Sequence, residues 1–559
     1  MMTLSDPVPL LLLLFSSLLL TLLAMPLVIR LAHRIGAVDK PDARKVHAKT
    51  MPRMGGLGFA IGLVVLPLSM VSSSLHPAAL DLAGFIIGLF VVVFSGMADD
   101  IKGISPKLKF IGLGIGSLLF VLITDTGIAS LGDLFGLGVV ETGWLAIPIT
   151  VGAMVGFVNA LNLSDGLDGL AAGIALIAVF FLGFFSVMEG DALTLVLSVT
   201  LMGGMLGFLY FNSHPAKVFM GDTGSLVLGY VLGAIALLLI KQAQVSADSL
   251  VTPVIMGVLL ALPLGDTLYV MGKRIREGKS PFLPDKTHFH HRLMALGLPH
   301  NGVVGTFYAL MLLYGIVATL LLKLPAWLQL AGLLVLLGGT YLVLHLVERS
   351  GLRFHIDESA QAERNPGGRH ASNWFARVSG SSVSYVTWII PLLLLYPVVT
   401  LEVVGYMKLL VAAGILSALV LFPWESRHSF SWRNGLYYLL VFIPILSIHW
   451  FADAQAKDFL WWATLLLAAW LCLKLYYHGH SGIFLTTGLE VLLVSLSWVG
   501  PWLTIEFGLV GEAQYQALYM ASLQSVVFLL ATKIVLRRQT QRNRQLFYSL
   551  LLLNGLLLV

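Results

Sequence analysis

Apolar runs of membrane-spanning length alternate along this chain with short polar connections. They lie near residues 8–29, 54–72, 79–97, 109–124, 144–161, 169–188, 192–211, 225–240, 252–271, 303–322 and 325–347. About 20 apolar residues in a helix cross the hydrocarbon of a bilayer. Runs this long and this uniformly apolar do not suit barrel strands, so helices are the expected spanning form. The pattern predicts an all-α, polytopic integral membrane protein with about eleven helices through residue 347. A polar stretch, 348–383, reads as a cytoplasmic linker and domain boundary. Six further runs follow near 384–402, 405–423, 435–451, 458–477, 482–499 and 517–536, then an apolar tail from Leu546. This additional transmembrane region, 384–559, carries no interpretable carboxylate cluster and reads as a scaffolding or oligomerising appendage. The first run is too long for a signal-peptide core and lacks a small-residue cleavage site, so it is expected to remain as a span. No internal repeat of the kind that builds many transporters is evident.

Loop charge gives the orientation. Arg30, Arg34, Lys40, Arg44, Lys45, Lys49 and Arg53 follow the first run, and Lys102, Lys107 and Lys109 the third. Lys273, Arg274, Arg276, Lys279, Lys286 and Arg292 follow the ninth. Asp125 to Gly143 and Gln242 to Leu250 hold no Lys or Arg. The positive-inside rule then sets the N-terminus outside and the odd-to-even connections in the cytoplasm. With that parity every polar cluster of chemical interest falls on the cytoplasmic side.

Composition agrees. Of 559 residues, 58% are hydrophobic and 11% charged, and mean hydropathy is +0.90, more than a soluble core needs. The single cysteine, Cys472, excludes an intramolecular disulfide framework and most thiolate metal sites. A net charge of +5 is no nucleic-acid signal in such a chain. Its loop cations set topology and attract anionic lipid or substrate.

Four polar constellations interrupt the apolar pattern. The central one is Asn159 to Gly173, NALNLSDGLDGLAAG. If its acids open a helix, Asp165 and Asp168 share one face. Carboxylates beside amides at a membrane edge are costly without a partner, and a hard cation with bound phosphates is one; a polar inter-helix turn is the plain alternative. Asp99 and Asp100 close the third run. Adjacent helical side chains point about 100° apart, so one can orient a group or take a proton while the other supports a metal; a lysine-partnered interfacial pair is the bland reading. Lys217 to Ser225, KVFMGDTGS, opens the eighth run. A helix N-terminus there offers free N–H groups to phosphate, Asp222 could ligate Mg²⁺, and Phe219 could stack on a nucleobase; an N-cap Asp beside an incidental aromatic competes. Finally, Ser280 to Leu293 carries His288, His290, His291 and Arg292. Without thiolates or a second spaced ligand pair, zinc is disfavoured, and these groups read as a grip on pyrophosphate, with surface histidines of no role as the plain alternative. Asp266, beside Gly265 and Thr267, is either a helper of the site or a bystander.

Taken together, DKPDARKVHAKTMPRMGG (Asp39 to Gly56), MADD (Met97 to Asp100), NALNLSDGLDGL (Asn159 to Leu170), VFMGDTGS (Val218 to Ser225) and DKTHFHHRL (Asp285 to Leu293) resemble one family. It is the polyprenyl-phosphate N-acetylhexosamine-1-phosphate transferases, of glycosyltransferase family 4 type. Phospho-MurNAc-pentapeptide translocase and the transferases that start O-antigen and teichoic acid linkage-unit synthesis belong to it. The motifs cover about residues 1–345 in order, and the RKVH and HFHHRL segments look more like the GlcNAc-1-phosphate branch. The region from about 384 departs from that pattern. The resemblance implies Mg²⁺, with Mn²⁺ as the alternative, on Asp222, and Asp99 or Asp100 at the lipid phosphate. Asn162, Asp165 and Asp168, with Asn159 in the same motif, would hold the nucleotide-sugar, and Phe219 would lie against uracil. His288, His290 and His291 would engage the pyrophosphate, with Lys109 and Arg292 assisting.

The expected reaction is attack by a polyprenyl (undecaprenyl) phosphate on the β-phosphorus of a UDP-N-acetylhexosamine, giving UMP and a lipid-linked sugar for cell-envelope polysaccharide. Direct attack and a route through an aspartyl-phosphate are both open at this stage. The expected setting is the bacterial inner membrane, with the bilayer as partner, no nucleic acid, and a homodimer as an open expectation. The competing reading is a transporter or lipid flippase using the acids as an ion path; it would place ionisable groups near mid-membrane in broken helices.

Overall fold

The computed structural model describes residues 7–39, 50–70, 78–246, 249–280 and 287–351. Beyond these it describes only positions 445, 457–458, 460–465, 467, 499, 503, 519–521, 523–528 and 550. The chain divides into two compact units, Met1–Ile356 and Asp357–Val559. In the second unit, residues 460–465 are helical. Positions 457–458, 467, 519–521 and 523–528 are helical as well. Apart from these and single positions, the six apolar runs expected there lie outside the described residues, as do the expected linker beyond residue 351, Lys40 to Lys49, Asp285 and Lys286.

The first unit is helical. Its elements are α1 (Pro7–Ile35), α2 (Gly56–Ser69), α3 (Ala79–Lys102), α4 (Pro106–Thr124), α5 (Ala146–Ser164), α6 (Leu170–Glu189) and α7 (Ala192–Asn212). There follow α8 (Gly221–Val245), α9 (Pro253–Leu259), α10 (Ala261–Arg276), α11 (Phe289–Ala295), α12 (His300–Leu321) and α13 (Ala326–Arg349). Each of the eleven apolar runs through residue 347 carries a helix. Among the described residues nine are long and apolar enough to span a membrane, and the α9–α10 pair, bent by 78°, makes a tenth candidate. The bend falls at Leu260, three residues before Pro263, whose ring would clash with the preceding turn of a continuous helix. At 14 residues, α2 is shorter than its run.

Packing is graded from a buried centre to an apolar rim. An 18-residue stretch of α8 is wholly buried, and α8 packs against α2, α3, α5 and α6. Outer faces remain apolar, with Leu80, Phe94 and Ile111 exposed, as suits side chains whose solvent is lipid. A two-residue antiparallel pair, β1 (Val38–Asp39) with β2 (Met51–Pro52), is the one sheet among the described residues, with Val38 opposite Pro52 and Asp39 opposite Met51. It continues into the loop before α8. Phe219 N–H donates to Pro52 O (2.9 Å) and Gly55 N–H to Phe219 O (3.1 Å).

Candidate active site

Four helix ends meet: the C-terminal ends of α3 and α5 and the N-terminal ends of α4 and α8. Asp99 and Asp100 lie in the last turn of α3, Lys109 in the first turn of α4, and Asp222 in the first turn of α8. These are the places where apolar sequence gives way to polar, because a charge costs least at the edge of the hydrocarbon.

The two adjacent acids of α3 do different work. Asp100, 6% exposed, is engaged through both oxygens. Oδ1 accepts from Asp222 N–H (2.9 Å), and Oδ2 accepts from Thr223 N–H (2.9 Å) and Thr223 Oγ1 (2.6 Å). It caps the otherwise unpaired N–H groups of α8 from another helix. Asp99 instead faces the cluster: Oδ2 pairs with Lys109 Nζ at 2.7 Å and Oδ1 accepts Ile104 N–H at 2.9 Å. The contact between α3 and α8 depends on Gly221, whose φ is +71° and whose Cβ, if present, would lie 2.5 Å from Asp100 Oδ2.

Asp222 is held from two further sides. Its Oδ1 accepts from Lys109 Nζ (2.8 Å) and from Asn162 Nδ2 (2.5 Å), and the same amide also reaches Ser225 Oγ (2.7 Å). Asn159 lies one turn before Asn162 in α5, half-buried. Asp165 follows the end of α5 as its C-terminal cap residue. Burial, and then the charges of Asp222, Asp168 and Asp100, push its carboxyl up to about 7.

The expectation that Asp165 and Asp168 share the first turn of a helix is corrected. α5 ends at Ser164, α6 begins at Leu170, and Gly169 between them takes φ +78°. The acids therefore sit in a turn and diverge. Asp168 Oδ2 accepts from His214 Nδ1 (2.8 Å) and Ala216 N–H (3.1 Å). Burial acts to raise the Asp168 carboxyl, but the His214 and Ala216 bonds outweigh it and hold the group below the usual carboxylate range. Asn212 and Tyr308 fix the turn: Gly169 N–H donates to Asn212 Oδ1 (2.9 Å), and Tyr308 OH donates to Gly169 O (2.7 Å).

The histidine segment forms the short helix α11. His290 is 3% exposed, and a Cβ on Gly166 would lie 2.5 Å from its Nε2. The acidic turn and the histidine segment thus touch. Burial, with the neighbouring His291, lowers the His290 imidazole to about 4, so it is neutral near pH 7. It can donate or accept a hydrogen bond, but it does not supply the positive charge that a grip on pyrophosphate invites. His291 is half-buried, its ring 4.2 Å from that of His290. His288 Nδ1 lies 2.9 Å from Asp266 Oδ2. Arg292 places Nε and Nη2 on the two oxygens of Glu348 (2.8 and 2.7 Å), so its guanidinium fork ties α11 to α13. Phe219 is half-buried, in the strand-like link between β2 and α8.

Sequence reasoning missed His214 and His300. Both sit in polar breaks beside a proline, NSHP and LPH, a signal too common to single out. With Asp168 they bring ligand atoms within 4.8 Å of one another, the one such His/Cys/Asp/Glu group among the described residues. Their rings, however, stack at 4.2 Å with 24° between planes. Imidazole lone pairs lie in the ring plane, so two stacked rings direct them side by side rather than at one point. As oriented, Asp168 bonds to His214 and His300 stacks on His214, so the three do not converge as a chelate.

Comparison with known proteins is consistent with this geometry. Residues 82–240 match the model of glycosyl transferase family 4, a stretch that holds Asp99, Asp100, Asp165, Asp168 and Asp222. The chain is 40% identical over 326 residues to the probable undecaprenyl-phosphate N-acetylglucosaminyl 1-phosphate transferase of Bacillus subtilis, covering 57% of this chain and 87% of that one. It is 37% identical over 325 residues to the decaprenyl-phosphate N-acetylglucosaminephosphotransferase of Mycobacterium leprae, covering 54% and 79%. It is 29% identical over 309 residues to the undecaprenyl-phosphate alpha-N-acetylglucosaminyl 1-phosphate transferase of Yersinia pestis, covering 54% and 82%.

Proposed function

The chain belongs to glycosyl transferase family 4, and from that premise we propose that it transfers an N-acetylhexosamine 1-phosphate from a UDP-sugar to a polyprenyl phosphate, releasing UMP. N-acetylglucosamine is the sugar that its relatives' names carry. The observation that carries this reading is the junction at the N-terminus of α8. Asp99, Asp100, Asp165 and Asp222 gather there against one hydrogen-bonded ammonium among the described residues, Lys109.

That imbalance fits a divalent cation. An Asp165 carboxyl pushed up to about 7 partly by neighbouring carboxylates registers surplus negative charge, and Mg²⁺ prefers one or two carboxylates plus phosphate oxygens and water. Asp222 and Asp99 would hold it. When bound, it would neutralise charge developing on the diphosphate.

The remaining roles belong to the chain's own groups. Asn162 and Lys109 fix the Asp222 carboxylate, and Asp100 fixes the helix end that carries it. A phosphate monoester has its second pKa near 6, so the lipid nucleophile is largely dianionic at neutral pH. Asp99 then has no proton to remove from it, and direct attack needs no covalent enzyme intermediate. Phe219 is the nucleobase platform. His288, His290 and His291 lie on the donor's side, where a neutral His290 works as a hydrogen-bonding group. The ends of α3, α5 and α8 are on the basic-loop side, so the reaction is assigned to the cytoplasmic face of a bacterial inner membrane. An ion path would need its acids in mid-span; these stand at helix ends.

The test uses membranes containing the protein, polyprenyl phosphate and radiolabelled UDP-GlcNAc, with and without Mg²⁺. Label passing to the lipid phase with release of UMP, only when Mg²⁺ is present, is the expected result. Release of UDP would mean ordinary glycosyl transfer and overturn the mechanism.

A further inference from the structure

We infer that Asp266 is a positioning residue that fixes the ring of His288 for the reaction. The inference rests on the function proposed above, which assigns His288 to the donor but gives Asp266 no part. Asp266 lies on α10, outside the segment that matches the family model, and is 3% exposed. Three groups from two other elements converge on its carboxylate. His288 Nδ1 stands 2.9 Å from Oδ2, while Phe289 N–H (2.9 Å) and Tyr341 OH (3.3 Å) donate to Oδ1. His288 is buried as well.

A carboxylate sealed in such surroundings is costly unless its oxygens are bonded, and here every bond leads to the histidine segment or its support. Phe289 N–H is at the start of α11, directly after His288. Tyr341 stacks on Tyr269 at 4.5 Å and meets Phe289 edge-on at 5.8 Å. An acceptor at Oδ2 holds the His288 proton on Nδ1 and leaves Nε2 as the nitrogen through which the ring acts. A carboxylate that orients an imidazole and selects its tautomer is a recurrent arrangement wherever a histidine must present one defined nitrogen. The geometry accordingly makes the buried acid an extension of the histidine site.

Asp266→Asn is the informative substitution. Asparagine can still accept Phe289 N–H and Tyr341 OH, but it turns either an N–H or a weaker acceptor toward His288 Nδ1. The experiment uses the full chain in detergent or nanodiscs, with kcat and KM for UDP-GlcNAc measured per amount of monodisperse protein. The variants are Asp266→Asn, Asp266→Glu, His288→Gln and the Asp266→Asn/His288→Gln pair. The expectation is a roughly 10- to 100-fold loss of kcat in Asp266→Asn, a smaller loss in Asp266→Glu, and no further loss when Asp266→Asn is combined with His288→Gln. A glutamine has no tautomer to select, so a role exercised through His288 vanishes in its background. Losses that multiply in the double variant, or parental kcat in Asp266→Asn, would overturn the inference. A fall in melting temperature alone does not mimic the result, since a structural loss persists in the His288→Gln background. Parental protein that releases no UMP would instead sink the proposed function, which keeps the two failures apart.

Discussion

At the scale of single residues, position in the charge cluster decides the role. Asp222 Oδ1 is the meeting point of Lys109 and Asn162, so Asp222→Asn is expected to lower transfer by at least about 10²-fold. A radiolabel assay on protein of unchanged melting temperature checks this, and near-parental turnover would remove Asp222 from the centre. Asp165 makes a pH prediction. Its folded-state pKa of about 7 lies above its ordinary value, so between about pH 4 and 7 the folded protein retains a proton that the unfolded chain has lost. Stability contributed by that protonated group is present at acid pH and lost as pH rises through 7. With a chelator present, Tm should therefore decline over this window, and Asp165→Asn should flatten the decline. Mg²⁺ should weaken it too, and its affinity should rise with pH as the competing proton leaves. Gly166 makes a steric prediction. A methyl group 2.5 Å from His290 Nε2 must displace a buried ring, so Gly166→Ala should cost roughly 10- to 100-fold in kcat, the scale of a displacement of about 1 Å. Kinetics on the purified variant would show whether the ring can give way instead.

At the scale of elements, the site depends on how helix ends are terminated. The N-terminus of α8 is capped by Asp100 from α3, with three donors on two oxygens. A buried donor without its acceptor costs about 1–3 kcal/mol. Asp100→Ala should therefore lower Tm and activity together, whereas Asp99→Ala should lower activity with a smaller change in Tm. Thermal melts of the two variants beside the parent separate them, and equal Tm losses would refute the division of labour. The turn between α5 and α6 works similarly. Gly169 at positive φ ends any continuous helix, sending Asp165 to the Asp222 cluster and Asp168 to His214.

For the whole molecule, the first compact unit, Met1–Ile356, contains all the groups assigned to the reaction. It is also the part whose length corresponds to the relatives' alignment. A chain cut after Ile356 is thus expected to retain polyprenyl-phosphate-dependent UMP release within about an order of magnitude of the full protein. Loss of turnover in a cut chain that remains monodisperse would assign the rest of the sequence a part in the reaction.

Hydropathy by itself determined the long apolar helices, because burial of about twenty apolar residues in lipid is a property of composition and leaves backbone geometry almost no choice. Charge placement likewise marked Asp99, Asp100, Asp165, Asp168 and Asp222, since ionised groups in so apolar a chain can stand only at its edges. Several things waited for the tertiary structure. Only packing showed that Asp100 caps α8 while Asp99 meets Lys109, that His214 claims Asp168, that Glu348 takes up the fork of Arg292, and that Asp266 stands behind His288. Apart from Asp99 and Lys109, each of these pairs joins residues 22 to 123 positions apart. The apolar pattern leaves open how each helix is rotated about its axis. A hydropathy run fixes that a helix exists; which of its polar atoms faces which neighbour is set by side-chain packing between helices, and no local spacing encodes it.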